Sequence, residues 1–171
     1  FAATTAETIV MNVRMPRIIT AIFVGASLAT AGAVYQSVFH NPLVSPDLLG
    51  VSSGSCIGVA VSILFGLGSM FNILLAFVGG ILAVGMTVLI PNIMRNRSST
   101  MLVLSGVMVS GFLSSILGVI KYMADNEDKL ESITYWQFGS FAHTQYGTLK
   151  VVFPILVISF ITLMLFAWRI N

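Results

Sequence analysis

The segment Gly50-Val51-Ser52-Ser53-Gly54 sets serines between glycines, as at the nucleophile of an intramembrane protease, and such a serine needs a histidine at the same membrane depth to take its proton. The two histidines, His40 and His143, fall in loops expected on opposite faces of a membrane. They form neither that dyad nor a shared metal site. The single cysteine, Cys56, excludes an internal disulfide; among Gly54, Ile57 and Gly58 it reads as a small packing residue rather than a redox or metal group. No GxxxxGK[ST] pattern occurs, so nucleotide is not bound by that route. The expectation is no catalytic, cofactor-binding or metal-ligating set, no enzyme activity and no nucleic-acid partner. What remains is a pair of cations, Arg14 and Arg17, three residues apart around Met15-Pro16.

The elements that position these residues must lie in a bilayer. Between Arg17 and Asp47, and again between Asp47 and Arg95, there is no Asp, Glu, Lys or Arg. Hydrophobic residues make up 57% of the chain and charged ones 8%, and mean hydropathy is +0.98, outside the range of soluble domains. The net charge of +2 says little about partners. A hydrocarbon core of about 30 Å is crossed by about 20 helical residues. As one helix, Leu48 to Met94 would be on the order of 70 Å long, so it must fold back. The predicted turn is Gly66-Leu67-Gly68-Ser69-Met70, where two glycines weaken the helix. No mid-membrane ionisable residue is present, which argues against ion-coupled transport and places any energy source on another chain.

Apolar runs between breakers predict five spans: Ile18 to Phe39, Leu48 to Phe65, Ile73 to Met94, Met101 to Met123 and Val151 to Trp168. Their odd number puts the termini on opposite sides. The connection from His40 to Asp47 carries Pro42 and Pro46 and reads as a rigid bend. The one around Arg95 to Thr100 is basic, with serines suited to capping the next helix. Within the polar stretch Ala124 to Lys150, acids followed by Tyr135, Trp136 and Phe138 predict a short interfacial helix, charges toward water and aromatics at the headgroups. Lys and Arg counts near the membrane give no orientation. Gly25 and Gly32 among alanines in the first span, and Gly50, Gly54 and Gly58 at four-residue intervals in the second, form smooth faces for helix packing. Because the chain begins with Phe1, a processed product or a piece of a longer protein is expected; no signal peptide is visible.

Read in order, Arg14-Met15-Pro16-Arg17, Val24 to Ala29, Ala31 to Gln36, Asn41-Pro42-Leu43-Val44-Ser45-Pro46, Leu49 to Gly54, Leu104 to Val107 and Tyr135 to Ser140 resemble the FecCD family of permease subunits of type II ABC importers, which carry iron-siderophores, haem and cobalamin. Family permeases are about twice as long, and the resemblance covers their second to sixth helices. It implies that the Arg14 end is extracytoplasmic. It also implies that Arg14 and Arg17 meet acidic residues of a docking substrate-binding protein, where the plain alternative is snorkelling to phosphate headgroups. The family's cytoplasmic gate maps onto Asn41, Leu43, Ser99 and Thr100, which otherwise read as an ordinary turn and an ordinary helix cap.

The expected fold is all-α, a polytopic transmembrane bundle of about five spanning helices. It is half of a ten-helix permease, with residues 1–171 as one permease domain in a bacterial or archaeal inner membrane. The resemblance implies uptake of a metal chelate by ATP-driven alternating access, as a homodimer in the lipid bilayer. An ATPase subunit and an extracytoplasmic substrate-binding protein are the implied partners. The alternatives are a same-fold permease for molybdate or a related oxyanion, and a structural half-module needing a second chain. On its own, the Gly50, Gly54 and Gly58 face is expected to drive self-association.

Overall fold

In hydrocarbon an unpaired peptide group costs several kcal/mol, so a chain this apolar closes its backbone hydrogen bonds inside helices. The computed structural model describes residues 7–42, 44–95, 98–124, 127–142, 144 and 146–170, with backbone alone for 148, 151 and 166–170. Among the described residues every regular element is helical. A π turn, Val10–Arg14, leads into α1, Met15–Phe39; a short 3-10 turn, Pro46–Leu49, precedes α2, Val51–Leu64. There follow α3 (Ser69–Ile93), α4 (Ser99–Tyr122), α5 (Glu127–Phe138) and α6 (Tyr146–Ile170).

Among the described residues, three helical stretches are long and apolar enough to cross a membrane: Glu7–Phe39, Ser69–Ile93 and Ser99–Tyr122. The expected span from Leu48 to Phe65 is shorter than its hydropathy suggested. Its continuous helix is Val51–Leu64, 14 residues, or about 21 Å, short of a full crossing. Pro46 seeds the 3-10 turn, and Gly50, at φ 76°, takes a left-handed conformation between turn and helix that a Cβ would disfavour. The fold-back between α2 and α3 falls at the predicted glycines, with Gly66 and Gly68 at φ 65° and 91°.

The chain divides into two compact units. One, Phe1–Pro42 with Ser140–Asn171, packs α1 along α6. Phe23 meets Phe153 edge-on there, with ring centroids 4.8 Å apart. Hydroxyls in these helices donate to carbonyls one turn back, Thr20 to Pro16, Ser27 to Phe23 and Thr162 to Ile158, which satisfies them without water. α1 ends at His40, whose left-handed backbone turns its N–H onto the Gln36 and Ser37 carbonyls.

The other unit, Leu43–Gly139, packs α2, α3 and α4 against one another, with α5 laid on α2. Ala83, Val109 and Leu113 form one buried cluster; Ala60, Leu117 and Ile133 form a second, with Cys56 packed beside it. Phe77, Ile81 and Phe112 stand more than half exposed, a surface suited to lipid and a liability in water. In α5, Glu127, Asp128, Glu131, Tyr135, Trp136 and Phe138 are exposed. Lys129 departs from the expected orientation toward water. It is half-buried, and its Nζ donates to the Leu64 carbonyl at 2.9 Å, closing the C-terminus of α2 with a cation.

Candidate functional site

The two arginines sit where a proline disturbs a helix. Pro16 offers no N–H and crowds the carbonyl four residues back, so the helix entering it widens into the π turn Val10–Arg14. Met15 N–H reaches five residues back, to the Val10 carbonyl. The next amide is that of Pro16, so the Met11 carbonyl has no helical donor. The Tyr146 hydroxyl donates to it at 2.8 Å. Arg14 ends the π turn with an exposed side chain, whereas Arg17 is half-buried and donates from Nη2 to the Ala142 carbonyl. Its Nε is buried with no partner among the described residues. The loop that receives Arg17 is itself ordered: Ala142 N–H donates to Ser140 Oγ at 3.0 Å and Thr144 N–H to the Phe141 carbonyl at 3.1 Å.

Of the four gate residues, Asn41 lies in the first unit just after α1, its N–H donating to the Gln36 carbonyl at 3.2 Å. Leu43 lies outside the described residues. Ser99 and Thr100 open α4 in the second unit with exposed side chains. The cap of that helix is the preceding serine: Ser98 Oγ accepts from Met101 N–H at 3.2 Å. The protease-like Ser53 faces Ser114, with the hydroxyls 3.4 Å apart. His143 lies outside the described residues, and among those described no cluster of His, Cys, Asp or Glu could hold a metal.

The glycines divide sharply. A Cβ on Gly54 would lie 2.4 Å from the Gly79 carbonyl oxygen, and one on Gly58 1.9 Å from that of Leu75, so α2 and α3 meet backbone to backbone. Self-association through this face is corrected by that geometry, since α3 already occupies it. Gly79 is the reciprocal contact, where a Cβ would lie 2.3 Å from the Gly54 oxygen, and a Cβ on Gly106 in α4 would come within 1.9 Å of the Leu48 oxygen. At Gly25 and Gly32 a Cβ would meet nothing within 4 Å among the described residues.

The model of the FecCD transport family matches residues 1–171. The chain belongs to that family. A molybdate import permease, MolB, of Haemophilus influenzae is 41% identical over 96% of this chain. A probable iron chelatin transport permease of Helicobacter pylori is 43% identical over 95% of it, and a hemin transport permease, HmuU, of Yersinia pestis 30% identical over 94%. Each alignment takes in 49% of the relative, so the chain spans about half the length of these FecCD-like permeases. A metal-chelate type ABC transporter solved in an inward-facing conformation superposes with a TM-score of 0.88 at 34% identity, over 98% of this chain and 53% of that one. As a FecCD member with several long apolar helices, the chain is a multi-pass inner-membrane protein.

Three contacts escaped sequence reasoning. Gly79 faces the ridge of Gly54 and Gly58, but nothing in a single sequence pairs one glycine stripe with another. Thr87 is fully buried and donates to the Leu49 carbonyl at 3.0 Å, closing the 3-10 turn that precedes α2. Its signal was a single hydroxyl inside the otherwise apolar run from Ile73 to Pro91. Tyr146 had no signal at all, because its acceptor is a carbonyl freed by a proline 130 positions away in sequence.

Proposed function

We propose that this chain is half of the permease of an ABC importer for a metal chelate, of the iron-siderophore, haem or cobalamin class. The observation that carries the reading is the superposition on a metal-chelate type ABC transporter over 98% of the chain. In this reading, Arg14 and Arg17 belong to the extracytoplasmic surface where a loaded substrate-binding protein docks. Asn41, Leu43, Ser99 and Thr100 belong to the cytoplasmic gate. The permease works as a homodimer. With no nucleotide motif and no ionisable residue at mid-membrane, it draws energy from a separate ATPase subunit whose ATP cycle tilts the helices in alternating access. Few polar anchors along the path suit a bulky ligand that must be released.

A second substrate, molybdate or a related oxyanion, is favoured by the 41% identity to the Haemophilus permease. Uptake into proteoliposomes separates the two. The chain is combined with the complementary permease half, the ATPase and a binding protein loaded with ferric chelate or with molybdate. ATP-dependent accumulation of the chelate and not of molybdate is expected, and none without the complementary half. Molybdate uptake alone would replace the chelate reading; uptake by this chain without the other half would remove the half-permease reading.

A further inference from the structure

Two hydrogen bonds of opposite direction tie the start of α1 to the segment leading into α6. Arg17 of α1 donates outward to the Ala142 carbonyl, and Tyr146 of α6 donates back to the Met11 carbonyl that Pro16 leaves without a helical donor. In a regular helix residues three apart share a face and both arginines would present their charge together. Here the π turn ends at Arg14 and the surroundings of the two differ: Arg14 is exposed while the guanidinium of Arg17 is drawn down onto the Ala142 carbonyl, its Nε buried. A planar guanidinium aimed at a backbone carbonyl is a directional donor rather than a free point charge.

We propose that the two arginines divide the roles at the docking surface. Arg14 presents its charge to acidic groups of the binding protein, and Arg17 is a positioning residue that holds the loop around Phe141 and Ala142 against the start of α1, with Tyr146 as the second tether. Phe141, 42% exposed, is the side chain that this tether presents to a partner. The inference rests on the docking reading above and sharpens it. Electrostatic pairing and loop positioning have different signatures: a rim charge sets the salt dependence of capture, whereas a lost tether weakens capture equally at every salt concentration.

The test uses the assembled transporter in nanodiscs with its loaded binding protein, and the variants R14Q, R17Q and Y146F. Capture is measured across a salt series, and amide exchange is followed at Ala142 and Thr144. R14Q is expected to weaken capture at low salt and flatten its salt dependence, with exchange unchanged. R17Q and Y146F are expected to speed exchange of both amides and to weaken capture roughly 3- to 10-fold, as for a lost hydrogen bond, with the salt slope kept. Y146F removes no charge and little volume, so it decides the matter even if R17Q fails to insert. A flattened salt slope in R17Q with unchanged exchange would overturn the proposal and make Arg17 a second docking cation. So would normal capture and exchange in Y146F. Capture indifferent to R14Q would instead strike at the docking reading itself, and is told apart because faster exchange in R17Q would persist.

Discussion

A methyl group on Gly58 would lie 1.9 Å from the Leu75 carbonyl oxygen, and one on Gly54 2.4 Å from that of Gly79, whereas a methyl on Gly25 or Gly32 would meet nothing within 4 Å among the described residues. Both helices carry small residues in an apolar run. In α2 the spacing of four lines the glycines along one edge, and α3 answers with Gly79 four residues beyond Leu75, so two backbones close on each other without side chains between them. Within its unit α1 packs along α6, and the face containing Gly25 and Gly32 is not the one α6 covers. Lipid offers helices no hydrophobic drive to associate, so close backbone packing is what holds such a pair, and only the first stretch has it.

The largest effect should come from filling the seam. Gly58→Ala is expected to destabilise by about 3 kcal/mol, the upper end for overpacking against unyielding groups, because the clash is with backbone rather than with a flexible side chain. Gly58→Leu should leave no folded protein. Mixed-micelle unfolding in SDS reads both, and an Ala variant as stable as the parent would show that α2 and α3 can part without loss.

Removal of a polar tie beside the seam should cost less. Thr87→Val keeps the shape of the side chain but strips the donor from the buried Leu49 carbonyl, and about 1–3 kcal/mol is expected from the unsatisfied group. Thr87→Ser should recover much of it. If Ser and Val behave alike in the same unfolding assay, the hydroxyl is not what fixes the 3-10 turn onto α3.

The smallest change belongs to the open face. Gly25→Ala and Gly32→Ala gain helix propensity and meet no atom of the described residues, so each is expected to be neutral or to stabilise α1 by up to about 1 kcal/mol. A loss as large as that at Gly58 would end the comparison, since it would mean that this face too is closely packed.

Much of the fold was legible from the order of residues. The uncharged runs demanded a bilayer, the glycines at 66 and 68 marked a turn that the backbone makes with positive φ, and the polar stretch after α4 gave the short helix α5. Hydropathy read Leu48 to Phe65 as one span because it registers apolarity and not backbone continuity. Pro46 and Gly50 break that run into a 3-10 turn and a 14-residue helix. The same limit applied to Lys129. As a charge in a polar segment it read as solvated, but it sits within reach of the last carbonyls of α2, where a cation is favoured.

By itself the sequence determined the medium, the helical class and the family, because exclusion of charge from hydrocarbon and the ordered motifs are properties of the chain alone. It also named Arg14 and Arg17 as a pair. Only the tertiary structure separated them, leaving one exposed and bonding the other to Ala142, and only it chose which glycine stripe is a seam. The reason is common to both. A hydrogen bond to a carbonyl and a contact between two backbones depend on where a distant main chain passes, and main-chain groups are the same at every position, so no residue type records them.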